Sequence, residues 1–184
     1  MASNKVNISL PSAPNVELHI EGDWVKAERV IDGIDKSISK GYNKAIERCS
    51  KAIIHLVKNA MRSGTPPRGS GTSWPALSPS YIQNTGRHPI YNHTGLYLKS
   101  IGVFKYKSRT VVGLPARVNR PGTSLTLNQI AIILEHGNDE IPARPLWAPS
   151  FKAYGGNDKL KKEIMKEIRS QIFKDYGINA NRIR

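Results

Sequence analysis

Between Ala27 and Ala60 apolar residues return every three or four positions: Ala27, Val30/Ile31, Ile34, Ile38, Tyr42, Ala45, Cys49, Ala52/Ile53, Leu56 and Ala60. That spacing puts them on one face of a helix. The predicted helix runs from about residue 24 to 62, with Asp23 as its N-cap, or else breaks at Gly41. Gly33 and Gly41 each weaken a helix by up to about 1 kcal/mol relative to Ala. Unbroken, the helix is about 57 Å long at the α-helical rise, more than one small sheet covers. Its stripe is then buried either partly by a neighbouring subunit or, with a kink, wholly inside its own domain.

Other periods flank this stretch. Val16, Leu18 and Ile20 alternate with Glu17, His19 and Glu21, the period of a half-buried strand. Residues 1–14 carry no pattern and read as a flexible arm. A Gly-, Pro- and Ser-rich loop is expected over 63–93. It contains one short helix capped by Ser78, with Pro79 at its first position and Gly86 at its end. Thr94 is a second N-cap, for Gly95 to Ser100. Ile101–Tyr106 and Thr110–Leu114 are β-rich and predict an antiparallel hairpin about Lys107-Ser108-Arg109. Pro115 to Gly122 reads as a basic loop. Thr126 and Gln129 form a capping box, with Leu125 placed to staple to Ile130. Leu127, Ile130, Ile133 and Leu134 are that helix's buried face, and Gly137 stops it. Pro142, Pro145 and Pro149 mark an irregular segment. A last helix runs from about Asp158 to Phe173, with Leu160, Ile164, Ile168 and Ile172 at steps of four. The expected fold is α+β: a long N-terminal helix and a C-terminal helix packed on a small antiparallel sheet, in one domain over 15–173, with a basic tail at 174–184.

Composition narrows the class. The chain has 184 residues, 39% of them hydrophobic, which is enough for a core. No run approaches the roughly 18 apolar residues of a membrane span, and Met1-Ala2-Ser3-Asn4-Lys5 does not open a signal peptide. A single cysteine, Cys49, excludes an intrachain disulfide and a Cys-based zinc site. A soluble protein made in a reducing compartment is expected. Charge adds more: 28 Lys+Arg against 14 Asp+Glu give +14. From Arg48 to Leu134 there are twelve basic residues and no acidic one. Such a stretch either faces a polyanion or an acidic protein surface, or is a solvated face.

Reactive chemistry is not indicated. His88 and His93 flank Pro89 at a spacing that no common zinc motif uses, and His136 suits a cation at a helix C-terminus. Cys49 lies on the apolar stripe and reads as packing. There is no Gly-x-Ser-x-Gly, Walker loop or His-Glu-x-x-His. Half the chain lacks carboxylates for a two-acid mechanism. No catalytic, cofactor-binding or metal-ligating residue is assigned, and no enzyme is expected. Trp74, Tyr81, Tyr91, Tyr97, Phe104 and Tyr106 sit among the basic residues, as stacking platforms for single strands or as half-buried packing.

Four short motifs follow in order. The first is Trp74-Pro75-Ala76-Leu77-Ser78 with Tyr81, and the second is Thr94-Gly95-Leu96-Tyr97-Leu98-Lys99-Ser100-Ile101. The third is Ile130-Ala131-Ile132-Ile133-Leu134-Glu135-His136-Gly137, and the fourth is Ile141-Pro142-Ala143-Arg144-Pro145-Leu146. Over about residues 24–173 the chain resembles the virion-morphogenesis (neck and tail-completion) family of tailed bacteriophages. It departs from the family pattern at Ile130, where Tyr is common, and at Leu146-Trp147, where Phe-Leu is usual. Motif positions expected to be structural are Trp74, Leu77, Ser78, Thr94, Gly95, Leu96, Ser100, Glu135, His136, Gly137, Pro142, Arg144 and Pro145.

The resemblance implies a homo-oligomeric ring at the head–tail junction. Neighbouring neck, connector and tail-terminator proteins would be its partners, double-stranded DNA would pass through its lumen, and assembly would take place in the bacterial host cytoplasm. Arg68, Arg87, Lys105, Lys107 and Arg109 are expected to face that lumen or an acidic neighbouring ring, where scattered charge gives weak, salt-screened attraction. Apart from the resemblance, Arg144 is held between two prolines. Its fork can clamp carbonyls or a carboxylate, with Glu135 a candidate partner, or it is a solvated loop residue. Trp74 and Trp147 read as core or subunit-contact anchors. Two other functions compete with the neck: a free basic nucleic-acid-binding protein, and a nuclease or small hydrolase.

Overall fold

The computed structural model describes residues 24–86, 88–91, 93–106, 110–115 and 117–177. The arm at 1–14, the strand expected at Val16–Ile20, the cap at Asp23, Arg87, the hairpin turn with Lys107 and Arg109, and residues 178–184 lie outside the described residues. The elements in order are α1 (Trp24–Ser63), α2 (Pro79–Thr85), α3 (Leu96–Ser100), β1 (Gly102–Lys105), β2 (Thr110–Gly113), α4 (Leu127–His136), α5 (Trp147–Tyr154) and α6 (Gly156–Tyr176). This is a mixed α+β arrangement whose two strands pair antiparallel, Gly102 opposite Gly113 and Lys105 opposite Thr110.

Local signals set most boundaries. Ser78 Oγ accepts from Tyr81 N at 3.2 Å to cap α2, and Gly86 ends it at φ 75°. The Thr126–Gln129 capping box is complete, and Gly137 closes α4 by donating to Ile133 O at 2.7 Å. Thr94 is not the cap of α3. Gly95 takes that place at φ 71°, a left-handed conformation that glycine adopts without steric cost, and this shifts the helix start by one residue. The proline-marked segment also holds a helix, α5, that periodicity does not reveal. Pro149 is its third residue, where the missing N–H would have had no intrahelical partner. At the C-terminus Lys174 to Tyr176 continue α6 instead of beginning a tail.

Helix α1 runs unbroken for 40 residues. Its buried row is every fourth residue: Ser37, Gly41, Ala45, Cys49, Val57 and Met61 are buried, with Gly33 and Ile53 half-buried between and before them. An i±4 row is one of the ridges that helices pack along. The N-terminal part of the row is small, and α6 seats there. A Cβ on Gly41 would lie 2.7 Å from Ile168 Cα and 3.0 Å from Glu167 O, so the glycine that weakens α1 locally is what admits the backbone of α6. Ser37 donates to Asp175 at 2.7 Å, Lys44 reaches Glu167 at 2.5 Å, and Arg48 reaches Glu163 at 2.5 Å and Glu167 at 3.1 Å. The main seat of α6 is therefore α1 and not the sheet, contrary to the sequence expectation; α1 is the helix that meets both strands.

A row of every fourth residue drifts by about 40° per step round a helix, whereas the 3.6-residue stripe read from the sequence runs straight. The two coincide near Cys49 and separate toward the N-terminus. The core, formed by Val57, Ala60, Met61, Tyr97, Ile101 and Leu146, covers the C-terminal half of α1. On the N-terminal half Ile31, Ile38 and Tyr42 remain 68%, 38% and 48% exposed. No helix among the described residues is long and apolar enough to cross a membrane.

Candidate functional site

The four motifs meet beside the core. The end of α4 presents Glu135, whose carboxylate accepts from Leu146 N at 2.7 Å, from Trp147 N at 3.1 Å and from Ala148 N at 3.2 Å. Helix α5 has no side-chain cap of its own, so Glu135 supplies one from another helix, with its negative charge at the positive end of the dipole. Gly137, at φ 76°, lets the chain fold back tightly, since a Cβ there would lie 2.8 Å from Ala143 N. The returning segment is pinned by Arg144 N donating to Leu134 O at 2.6 Å.

Arg144 does not pair with Glu135. Its guanidinium, in a residue only 5% exposed, donates through Nε to Pro75 O and through Nη2 to Ala76 O, both at 2.9 Å. The prolines on either side restrict the backbone, and the fork clamps two consecutive carbonyls of the first motif. Trp74 Nε1 donates to Pro145 O at 2.8 Å, and the Tyr91 hydroxyl donates to Arg144 O. Trp147 Nε1 donates to Tyr97 Oη at 3.3 Å, which brings in the second motif. Tyr91 itself sits at φ 69°, rare for a residue with a bulky side chain. Burial pushes the phenols of Tyr91 and Tyr97 well above the usual tyrosine value, so both stay neutral, Tyr91 as a donor to Arg144 O and Tyr97 as the acceptor from Trp147.

Beside these contacts lies a half-open cavity of about 380 Å³. Leu77, Leu96, Leu127, Ile130, Ile133 and Ile141 supply much of its apolar lining, and Ser78, Thr94, Pro142 and Arg144 also border it. His88 and His93 stack on its wall with ring centroids 4.7 Å apart. Both oxygens of Glu135 and two donor groups of Arg144 are engaged with backbone partners, so these two groups fasten segments together, and Arg120 and Glu140 also line the cavity. Among the described residues no group of three His, Cys, Asp or Glu is placed to hold a metal.

The remaining predicted residues are dispersed. Ser100 ends α3 and His136 is exposed in the last turn of α4. Arg68 is exposed on the irregular stretch after α1, and Lys105 is exposed at the end of β1. Their expected companions Arg87, Lys107 and Arg109 lie outside the described residues. The acid-free stretch is also less bare in space than in sequence. Arg48 is countered by Glu163 and Glu167 from α6, Lys51 by Glu47 at 2.7 Å, and the field of Lys105 reaches Glu47. Glu167 and Asp175, which lock α6 to α1, are the polar residues that periodicity missed; their signal is their recurrence on the α6 face that also carries Glu163. Family models, curated proteins and solved structures contain no match to this chain.

Proposed function

We propose that the chain is a structural component of a tailed-phage virion neck. It forms a homo-oligomeric ring at the head–tail junction that joins or completes head and tail and lets DNA pass through its lumen. The observation that carries this reading is the buried Arg144 clamp. It ties the fourth motif to the carbonyls of the first, while Glu135 of the third motif caps the helix that the fourth motif leads into, and Tyr97 of the second receives Trp147. Motifs that resemble one family in order are thereby also one connected unit in space. Beside this apolar cavity Glu135 and Arg144 are taken up by backbone partners, while His88 on its wall keeps a buried Nε2 without a partner among the described residues. On this reading the partners are further copies of the chain, neighbouring neck, connector and tail proteins, and DNA held by non-specific electrostatics; the chain resides in the virion after assembly in the host cytoplasm and needs no cofactor.

Deletion of the gene from the phage that carries it tests this. Electron micrographs of lysates are expected to show filled heads and separate tails, with joining restored when the gene is supplied in trans. Normal joined particles from the deletion, or rescue that depends on a substrate being turned over, would refute the proposal.

A further inference from the structure

The bare stripe on α1 and the outer face of α6 are complementary in both shape class and charge. Ile31, Ile38 and Tyr42 stand exposed on α1. Glu28 lies three residues before Ile31, and Asp35 lies four after Ile31 and three before Ile38, so both border the stripe. Asp32, exposed like them, extends the acidic border, while Arg29 and Lys36 sit further round the helix. On α6 Met165 is 52% exposed in a shallow groove lined by Lys162, Lys166, Arg169, Ser170 and Phe173. One surface is thus apolar with an acidic edge, and the other is apolar with a basic edge.

The two cannot meet within one molecule. Ile38 and Tyr42 each follow by one residue a position that packs on α6, which places the stripe roughly 100° round α1 from that contact. Met165 is two residues from both Glu163 and Glu167, which face α1, so it points roughly 200° away from them. The patches look in different directions from the same end of the helix pair.

We propose that the acidic-edged stripe of α1 docks on the basic outer face of α6 in a second copy of the chain, head to tail. Such a heterologous contact leaves one free patch at each end of a pair and propagates until a ring closes. This deepens the ring reading and rests on it for closure. The occupant is a second copy because the acidic edge of the α1 stripe and the basic edge of the α6 groove, each beside exposed apolar residues, complement one another in charge.

Sedimentation of full-length protein over a concentration series tests the contact. D32K/D35K and K162E/K166E are each expected to weaken self-association by at least about tenfold, since like charges then face each other. The combined four-residue reversal is expected to restore it. An equal mixture of the two double variants is expected to recover association as alternating copies, because the two intact patches complement each other and so do the two reversed ones. The proposal is overturned if the double variants associate like the parent, if the combined reversal does not recover, if either double variant alone still forms pairs through a single self-complementary patch, or if the parent stays monomeric up to its solubility limit. Failure here, with head–tail joining still dependent on the gene, removes this contact and leaves the neck role in place.

Discussion

Alanine at Gly41 should cost more stability than alanine at Gly33, although both replace a glycine in the interior of one helix. Local propensity favours alanine by up to about 1 kcal/mol at either site. At Gly41 the new Cβ meets backbone: Ile168 Cα at 2.7 Å, Glu167 O at 3.0 Å and Ile168 N at 3.1 Å. Backbone cannot rotate aside, so α6 must move bodily, and overpacking of this kind costs about 1–3 kcal/mol. The shift also loosens Ser37–Asp175 and Lys44–Glu167, which cross the same interface. The net expectation for Gly41→Ala is a loss of about 1–3 kcal/mol. At Gly33 the added methyl meets the hydroxyl end of Tyr176, a side chain and not backbone, so the displacement costs less than moving α6 and is partly offset by the gain in propensity. Urea unfolding followed by far-ultraviolet circular dichroism reads both. A Gly41→Ala protein as stable as the parent would refute the close seating of α6 on α1.

Arg144→Ala leaves Pro75 O and Ala76 O without their donors and should lower stability by about 2–4 kcal/mol, read as a fall in Tm; Arg144→Lys should recover only part, because an ammonium cannot match the planar fork. An unchanged Tm in Arg144→Ala would remove the clamp from the account. Acid should loosen the α1–α6 pair. The Lys44 hydrogen bond foremost, then the charges of Lys44 and Arg48, hold Glu167 below its ordinary value of 4.5, and Ser37 and Gln171 lower Asp175 likewise. A depressed folded value gives stability that is complete above the ordinary carboxylate range and lost as the pH falls through the folded value. Unfolding free energy should therefore drop in acid below that range, and Glu167→Gln should flatten the drop; an identical acid profile in the variant would contradict the pairing. Neutralising Arg68, Arg87, Lys105, Lys107 and Arg109 together should leave the circular dichroism spectrum and Tm nearly unchanged while disturbing DNA retention or ring docking in particles, and normal joining and retention would count against a partner-facing role.

Much of the fold is legible where a residue's effect is local. Ser78, Thr126, Gln129, Gly86 and Gly137 act on neighbours within one turn, and α2 and α4 begin and end where those residues put them. The hairpin strands follow β-rich runs in the same way. The reading fails where the cause is remote. Gly41 looks like a defect in α1 until α6 lies against it. The apolar stripe of α1 is real, but which half is covered depends on where α6 and the core cross it, and a 3.6-residue period says nothing of a partner that follows every fourth residue. Helix α5 hides behind three prolines because its N-terminal cap, Glu135, comes from eleven residues before Leu146. At the candidate site the constraint on Arg144 by its prolines is visible in sequence, and so is a preference for carbonyls or a carboxylate. The choice of Pro75 and Ala76 over Glu135 is set by the tertiary fold, which takes both carboxylate oxygens for the α5 terminus.

A cryo-electron reconstruction of the intact phage neck tests the central claim most directly. The account predicts a closed ring of this chain between head and tail, with DNA on its axis and neighbouring copies meeting through the α1 stripe and the outer face of α6. Joined particles that lack the chain, or that hold it as isolated copies with no ring, would contradict it.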